Sequence, residues 1–225
     1  MPDLEPDSSR LKITRVRIEN FRSIRSCDVR LGPLTVLVGP NASGKSNFLD
    51  AIRLIADFMR EPAEDAVSRR GGMDALLHRS SDQSAAQSFY ISLNLEEVGV
   101  EGVVTAQARY GIELSKGSDG EILIKDERFD STGEWEDRSF HRKKTKDGGF
   151  EVEPIPFPAG VMDPRGVLLR FLGGYLQVNG YTDLREDLAS MSFYDLDVKT
   201  LRELDQVQPH QRGNRLGTEA STSAM

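Results

Sequence analysis

Cys27 is the only cysteine in the 225 residues, so no internal disulfide can form. A chain without bridges fits a reducing compartment. Cys27 falls among the apolar positions of a strand and reads either as packing or as a reactive thiol. Long apolar runs are also missing. None approaches the roughly 20 residues that span a bilayer. The start, Met1-Pro2-Asp3-Leu4-Glu5-Pro6-Asp7, is acidic and lacks the basic and then apolar character of a signal peptide. These absences point to the cytosol and away from a membrane. Positive charge is in deficit, with 29 Lys and Arg against 36 Asp and Glu and a net charge of −7. Such a surface does not bind nucleic acid non-specifically over its whole extent. One local exception stands out. Arg138, His141, Arg142, Lys143, Lys144 and Lys146 precede Gly148-Gly149 in what reads as a hairpin loop, either solvated or touching nucleic acid.

What is present suffices for a packed core, with 38% hydrophobic and 29% charged residues. The length fits one large domain or a domain with an inserted subdomain. Residues 1–10 are polar and read as disordered. In 11–87, Thr14, Val16 and Ile18 alternate with charged neighbours, as do Cys27, Val29 and Leu31, giving two half-buried strands. After the Gly32-Pro33 turn, Leu34-Thr35-Val36-Leu37-Val38 is unbroken. That continuity predicts a strand covered on both faces at the centre of an α/β sheet. A helix follows, with Phe48, Ile52, Ile55 and Met59 at steps of three or four and Leu49 and Ala56 widening the same face. A short helix over Ala63 to Val67 and a turn at Arg69 to Gly72 come next. Residues 88–158 change period: Phe89 to Leu95, Val104 to Leu114 and Ile122 to Ile124 alternate, with weaker strands near Trp135, Phe140, Phe150 and Val152. This predicts an antiparallel β-rich subdomain. In 159–204, Asp163-Pro164 reads as a helix start, and Val167, Leu168, Phe171, Leu172, Tyr175 and Leu176 form its buried face. A further helix begins near Thr182. Residues 205–225 form a polar tail.

One segment carries chemistry. Gly39-Pro40-Asn41-Ala42-Ser43-Gly44-Lys45-Ser46 fits G-x-x-x-x-G-K-[ST], between an apolar run and an amphipathic helix. Helix N-termini present unpaired N–H groups and the positive end of the dipole, which suits phosphate. Gly39 and Gly44 allow turns and approaches that a Cβ blocks. The N–H groups from Ser43 to Asn47 can wrap a phosphate. Lys45 can reach β- and γ-phosphates, and the Ser46 hydroxyl can ligate Mg²⁺. The expected ligand is therefore a nucleoside triphosphate with magnesium. An ordinary strand–turn–helix is the alternative.

The surroundings narrow the class. Ile13 to Ile24 reads I-T-R-V-R-I-E-N-F-R-S-I, and Pro33 to Ile52 reads P-L-T-V-L-V-G-P-N-A-S-G-K-S-N-F-L-D-A-I. Together with Arg69 to Leu76, these segments resemble the ABC-type ATPases of the SMC, Rad50, RecF and OLD group, and in particular small predicted ATPases described as AAA-21-like. The resemblance is tight over residues 11–80 and looser over 88–203. It implies an α/β P-loop NTPase with a mixed central sheet beside the antiparallel β-rich subdomain, here an incomplete ABC-type head. It implies ATP with Mg²⁺ as ligands, and a homodimer or a complementary ATPase half as partner. It places Arg22 near the nucleotide; otherwise Arg22 is a surface arginine in a turn. Asn41 shapes the loop or touches the γ-phosphate, and Asn47 flanks the phosphate path.

The resemblance also implies parts that the sequence lacks. A Walker B strand should end in Asp and a catalytic Glu. Ile91 to Glu97, I-S-L-N-L-E-E, alternates like an edge or surface strand and has no Asp. Ser192 to Asp197 fits no better. Leu172-Gly173-Gly174 lacks the serine of the family's signature motif, and none of His78, His141 or His210 follows a Walker B strand. The chain thus resembles the first half of such an ATPase, and no catalytic residue beyond Lys45 is identified. Either it belongs to an ATPase active when complete or paired, in DNA processing or phage defence, or it is a non-hydrolysing nucleotide-binding portion that needs a second chain. A GTPase or small-molecule kinase is a third reading, since Asp163-Pro164-Arg165-Gly166 fits D-x-x-G, but no Asn-Lys-x-Asp guanine motif exists.

Overall fold

The computed structural model describes residues 10–80, 85–99, 101–135, 137–145, 149–154, 165–174 and 180–193. One compact unit covers Met1–Met191 and a second Ser192–Met225; of the second, only Ser192 and Phe193 are described. The Asp163-Pro164 helix start, Lys146, Tyr175, Leu176 and the polar tail lie outside the described residues, as do residues 1–9.

Alternating strand sequences produce one seven-stranded sheet. Its strands are β1 (Arg10–Phe21), β2 (Ile24–Arg30), β3 (Ser88–Val98), β4 (Val104–Lys116), β5 (Ile122–Gly133), β6 (Arg138–Lys144) and β7 (Phe150–Glu153). The order is β2-β1-β3-β4-β5-β6-β7, and each pairing is antiparallel. One face is apolar and the other wet, as short-range antiparallel connections allow. Two cross-strand rows make the apolar face. Val16, Leu93, Tyr110, Phe129 and Phe140 stand opposite one another in sequence across the sheet, and beside them run Ile18, Ile91, Ile112, Glu127, Arg142 and Val152. All of these are buried.

The helices are α1 (Lys45–Arg60), α2 (Ala63–Ser68), α3 (Met73–Leu76), α4 (Leu168–Gly174) and α5 (Tyr181–Ser190). The stripe Phe48, Ile52, Ile55 and Met59 is buried as its period requires. Helix α1 packs against α5 and touches β1 and α4. Arg60 fastens the far end of α1 by donating to the carbonyls of Ala189 (2.6 Å), in the last turn of α5, and of Met191 (2.5 Å), just past it.

Four expectations change. Leu34 to Val38 is not a strand: Leu34, Val36 and Val38 are 85%, 71% and 90% exposed. A buried strand needs hydrogen-bonded neighbours and cover on both faces, and no described residue supplies either. Leu49 is half exposed for the same lack of cover. Ile91 to Glu97 is no edge: β3 pairs with β1 on one side and β4 on the other, so its alternation reflects a sheet with one wet face. The basic segment is not a loop. Arg138–Lys144 is β6, and strand alternation carries Arg142 into the core while Lys143 and Lys144 stay exposed.

Arg142 is tolerated inside because Glu127 faces it. The two form an ion pair at 3.6 Å, Arg142 donates to the Gly166 carbonyl at 2.6 Å, and its guanidinium lies 4.5 Å from the Phe150 ring centre. The Glu127 carboxylate accepts from the Tyr110 hydroxyl (3.0 Å) and from the N–H groups of Leu168 (2.8 Å) and Leu169 (3.0 Å). It thereby ties the first turn of α4 to the sheet. Burial still pushes the Glu127 carboxyl above its ordinary value, against the pull of Arg142 and the two N–H groups.

Candidate functional site

The phosphate-loop residues lie between the exposed run and α1. Gly44 immediately precedes the helix at φ 94°, and Ala42 is left-handed at φ 65°. Glycine meets two demands at 44. An L side chain is strained at that φ, and a Cβ there would come within 3.2 Å of Ser23 Oγ. No side chain caps the start of α1, so the N–H groups of its first turn keep their donor capacity. No acidic residue lies in that turn to oppose an incoming anion.

Lys45 folds back over the loop. Its ammonium donates to the carbonyls of Gly39 (2.8 Å) and Pro40 (2.7 Å) and to Ser43 Oγ (3.1 Å). An ammonium has three donors, and here three loop oxygens take them. These acceptors are neutral, so a polyphosphate can replace them with stronger charge-assisted bonds. Gly39, Ser43, Gly44 and Lys45 share the wall of a cavity of about 660 Å³ with Ile24, Cys27, Val29, Val36, Val38 and Phe48. The loop supplies its cationic and N–H-rich side; β2 and the exposed run supply its apolar side. Burial raises the Cys27 thiol above its usual value, which keeps it protonated at neutral pH.

The remaining candidates fall around this cavity. Asn41 and Ser46 are exposed. Asn47 Nδ2 donates to Ser23 Oγ at 2.7 Å, which joins α1 to the turn between β1 and β2. Arg22 occupies that turn at φ 49° and lies outside the cavity wall; its guanidinium meets Asp50 at 2.9 Å. Sequence reasoning missed Ser23, Asp50, Arg70 and His78, the residues that hold these groups. Asn20 to Ser23 and Arg69 to Leu76 carried a family resemblance, but nothing in their spacing showed that they meet. Among the described residues, no three or more His, Cys, Asp or Glu gather to hold a metal by themselves.

A family model for the AAA ATPase domain matches residues 11–146. The OLD nuclease of Thermus scotoductus is 46% identical over 43 residues, which are 19% of this chain and 8% of that protein. The DNA replication and repair protein RecF of Magnetococcus marinus is 42% identical over 66 residues, 28% of this chain and 17% of that one. A solved structure of the recombination mediator RecF with ATP is 21% identical with a TM-score of 0.36, covering 52% of this chain and 28% of the other. The matched part therefore spans less than a third of each of these relatives.

Proposed function

From the premise that this chain belongs to the AAA ATPase domain family, with the α/β P-loop fold of the SMC, RecF and OLD group, we propose that it binds ATP with magnesium through Gly39 to Ser46. The observation that carries this reading is the start of α1. An uncapped helix N-terminus and the Lys45 ammonium converge on one loop, and position 44 holds a left-handed φ of 94° that strains any L side chain. An anion of the size of a diphosphate fits that donor set. Magnesium takes oxygen ligands and keeps several waters, so it would rely on the Ser46 hydroxyl and on phosphate oxygens. When bound, it would neutralise charge on the terminal phosphates. Asn41 and Asn47 flank the same path, and Arg22, in the turn between β1 and β2, meets Asp50 one turn further along α1.

Hydrolysis to ADP and phosphate is assigned to the complete or paired ATPase. The exposed Leu34 to Val38 run supports this assignment. It is the apolar run that leads into the loop, and its unpaired backbone is open to an acidic Walker B strand from a complementary half or a second copy. DNA processing is the setting that the nuclease and repair relatives suggest, and phage defence, in the cytoplasm, is what the sequence resemblance and composition imply. A nucleotide-binding portion that never hydrolyses alone is the second reading; the absence of an Asp-Glu strand in the sequence favours it.

Calorimetric titration of the purified chain with Mg-ATP tests the binding. Saturable heat that Lys45→Ala removes is expected, with little turnover by the chain alone. No saturation with any nucleoside triphosphate defeats the reading. Rapid turnover by the pure chain defeats its division of labour.

A further inference from the structure

One cross-strand row on the wet face of the sheet runs Arg17, Ser92, Gly111, Arg128. Two arginines thus flank a serine and a glycine near the middle of the sheet. Glycine inside a strand forfeits packing and marks a close approach by another group. Here that group is Tyr90. A Cβ at position 111 would stand 2.5 Å from the Tyr90 hydroxyl oxygen and 3.1 Å from the ring carbon that bears it. The tyrosine therefore leans out of its own row, where it pairs with Glu19 and Glu113, and lays its hydroxyl over Gly111. That puts the hydroxyl between Arg17 and Arg128, where it acts electrostatically on both. Arg109 lies two residues before Gly111, on the same face of β4. Arg17, Tyr90, Arg109 and Arg128 share the wall of a cavity of about 320 Å³. None of the four lines the cavity at the phosphate loop.

Three guanidiniums around one small cavity repel one another unless carboxylates steady them. Arg17 donates to Glu19 at 3.0 Å, and Arg128 donates to both oxygens of Asp126 at 2.8 and 3.3 Å. Asp126 also meets His141 Nε2 at 2.7 Å. Glu113 accepts from Ser88 Oγ (2.6 Å) and Lys125 Nζ (2.9 Å). These acids are already engaged, and two of them are recessed. Glu113 and Asp126 are 26% and 16% exposed, whereas Arg17 and Arg128 are 49% and 56% exposed. Positive charge therefore stands outermost over the cavity. Two donor groups are left over. Arg109 is exposed and makes no hydrogen bond or ion pair among the described residues, and the Tyr90 hydroxyl makes no hydrogen bond there either. A free guanidinium, two guanidiniums held in direction and a spare hydroxyl match the oxygens of a tetrahedral oxyanion.

We propose that Arg17, Arg109, Arg128 and the Tyr90 hydroxyl form a second anion site, apart from the loop before α1, that takes the phosphate group of a small phosphorylated ligand. The surroundings favour one such group over a polymer. The neighbouring cavity past Arg109 is lined by Glu96 and Asp130, so a continuous phosphodiester backbone would run on to carboxylates. The site stands whether or not the loop before α1 binds ATP.

The probe is inorganic phosphate at about pH 8, where it is a dianion. It is titrated calorimetrically into the full chain and into Lys45→Ala, which takes the loop before α1 out of the measurement. Saturable binding to both is expected. In the Lys45→Ala background, Arg109→Gln should weaken it at least about 5-fold and Tyr90→Phe about 2- to 5-fold. Gly111→Ala should weaken it as well by displacing Tyr90, which separates a built seat from scattered surface charge. Arg15→Gln, on the same face but outside the cavity, should change it less than about 2-fold. Glycerol phosphate and a single-stranded thymidine oligonucleotide distinguish the sources of the group. Monoester binding at least as tight as that of phosphate, and lost with Arg109→Gln, supports the small-ligand assignment. Oligonucleotide binding that Arg109→Gln removes, with no monoester binding, overturns it in favour of nucleic acid. Phosphate binding that never saturates, that Lys45→Ala alone abolishes, or that Arg109→Gln leaves unchanged overturns the site and leaves the ATP reading standing.

Discussion

The sheet centre and the phosphate loop meet polarity in opposite ways. Around Glu127 and Arg142 the polar groups are sealed in: Tyr110, Leu168, Leu169 and Gly166 all point donors or acceptors at them, and both side chains have essentially no contact with water. Around Lys45 the donors are exposed and lean on neutral loop oxygens. A buried network gains from low dielectric only if every partner is present, so it fixes a single arrangement. An exposed network costs little to rearrange, so it can exchange partners with a ligand. The comparison teaches where this molecule keeps its rigidity and where it keeps its capacity to bind. Stability lies in the β3–β7 half with α4, while the loop before α1 keeps donors that can exchange partners, as the proposed anion site requires.

The largest effect expected is at the buried pair. Arg142→Leu strips Glu127 of its counter-charge and should cost about 3–5 kcal/mol, a large fraction of the stability of a typical domain. Adding Glu127→Gln, which removes the stranded charge, should recover more than half of it. Urea unfolding followed by circular dichroism measures both. A cost below about 1 kcal/mol would show that water reaches the pair, and the contrast with Lys45 would vanish. The same carboxyl makes a pH prediction. Burial raises the Glu127 value in the folded chain, so above the ordinary carboxylate range the folded state binds more protons than the unfolded one. Stability should therefore fall as pH rises from the unfolded value through the raised folded one. Glu127→Gln should lack this component, so its deficit relative to the parent should narrow as pH rises.

Next in size is the ligand-linked stability of the loop. Mg-ATP at about 100 times its Kd should raise the unfolding free energy by about 2.7 kcal/mol. Lys45→Ala should remove that increment and leave the ligand-free melt nearly unchanged, because its partners are exposed carbonyls and a hydroxyl. Gly44→Ala comes after it. The left-handed backbone should cost about 1–2 kcal/mol, and Ser23 has to yield at 3.2 Å, so both the ligand-free melt and ATP affinity should drop. A Gly44→Ala chain that binds ATP normally would mean that the loop is not held in this conformation.

Much of the molecule was legible because period is a physical constraint. The stripe from Phe48 to Met59 and the alternations of β3 and β4 translated directly into buried faces. The turn that opens α1 was legible from its glycines, and the phosphate role proposed for it rests on the same residue types. What stayed hidden depends on contacts between distant segments. Lys125 is an extra residue in β5, so Ile124 pairs with Leu114 while Asp126 pairs with Glu113. That bulge moves the inward phase from Ile122 and Ile124 to Glu127 and Phe129. Without it Glu127 reads as a surface residue, and Arg142 loses the partner that makes its burial acceptable. The ion pairs of Asp50 with Arg22 and Arg70 were hidden for a similar reason, since their members are separated by 20 and more residues and join only when α2 folds against α1. The Leu34–Val38 run failed in the other direction. Composition gave it a strand's character, but pairing depends on a neighbour.

The smallest effect expected is at that run, and it tests the weakest side of the comparison. Val36 is 71% exposed and has no strand beside it among the described residues. Replacing it with serine removes little apolar surface from the protein's interior, so Val36→Ser should shift unfolding by less than about 0.5 kcal/mol. Val16, opposite Leu93 on the sheet's apolar face and fully buried, supplies the control: Val16→Ser should cost several times more, because it both opens a cavity and buries a hydroxyl. Equal costs for the two would place Leu34–Val38 inside a core in solution, with its pairing strand already supplied. The loop would then hang from a rigid strand, and the division between a rigid sheet and an adaptable loop would fail. If Val36→Ser is silent in the chain alone but costly once a complementary half is added, the run is the seam along which that half pairs, and α1 gains its second support only there.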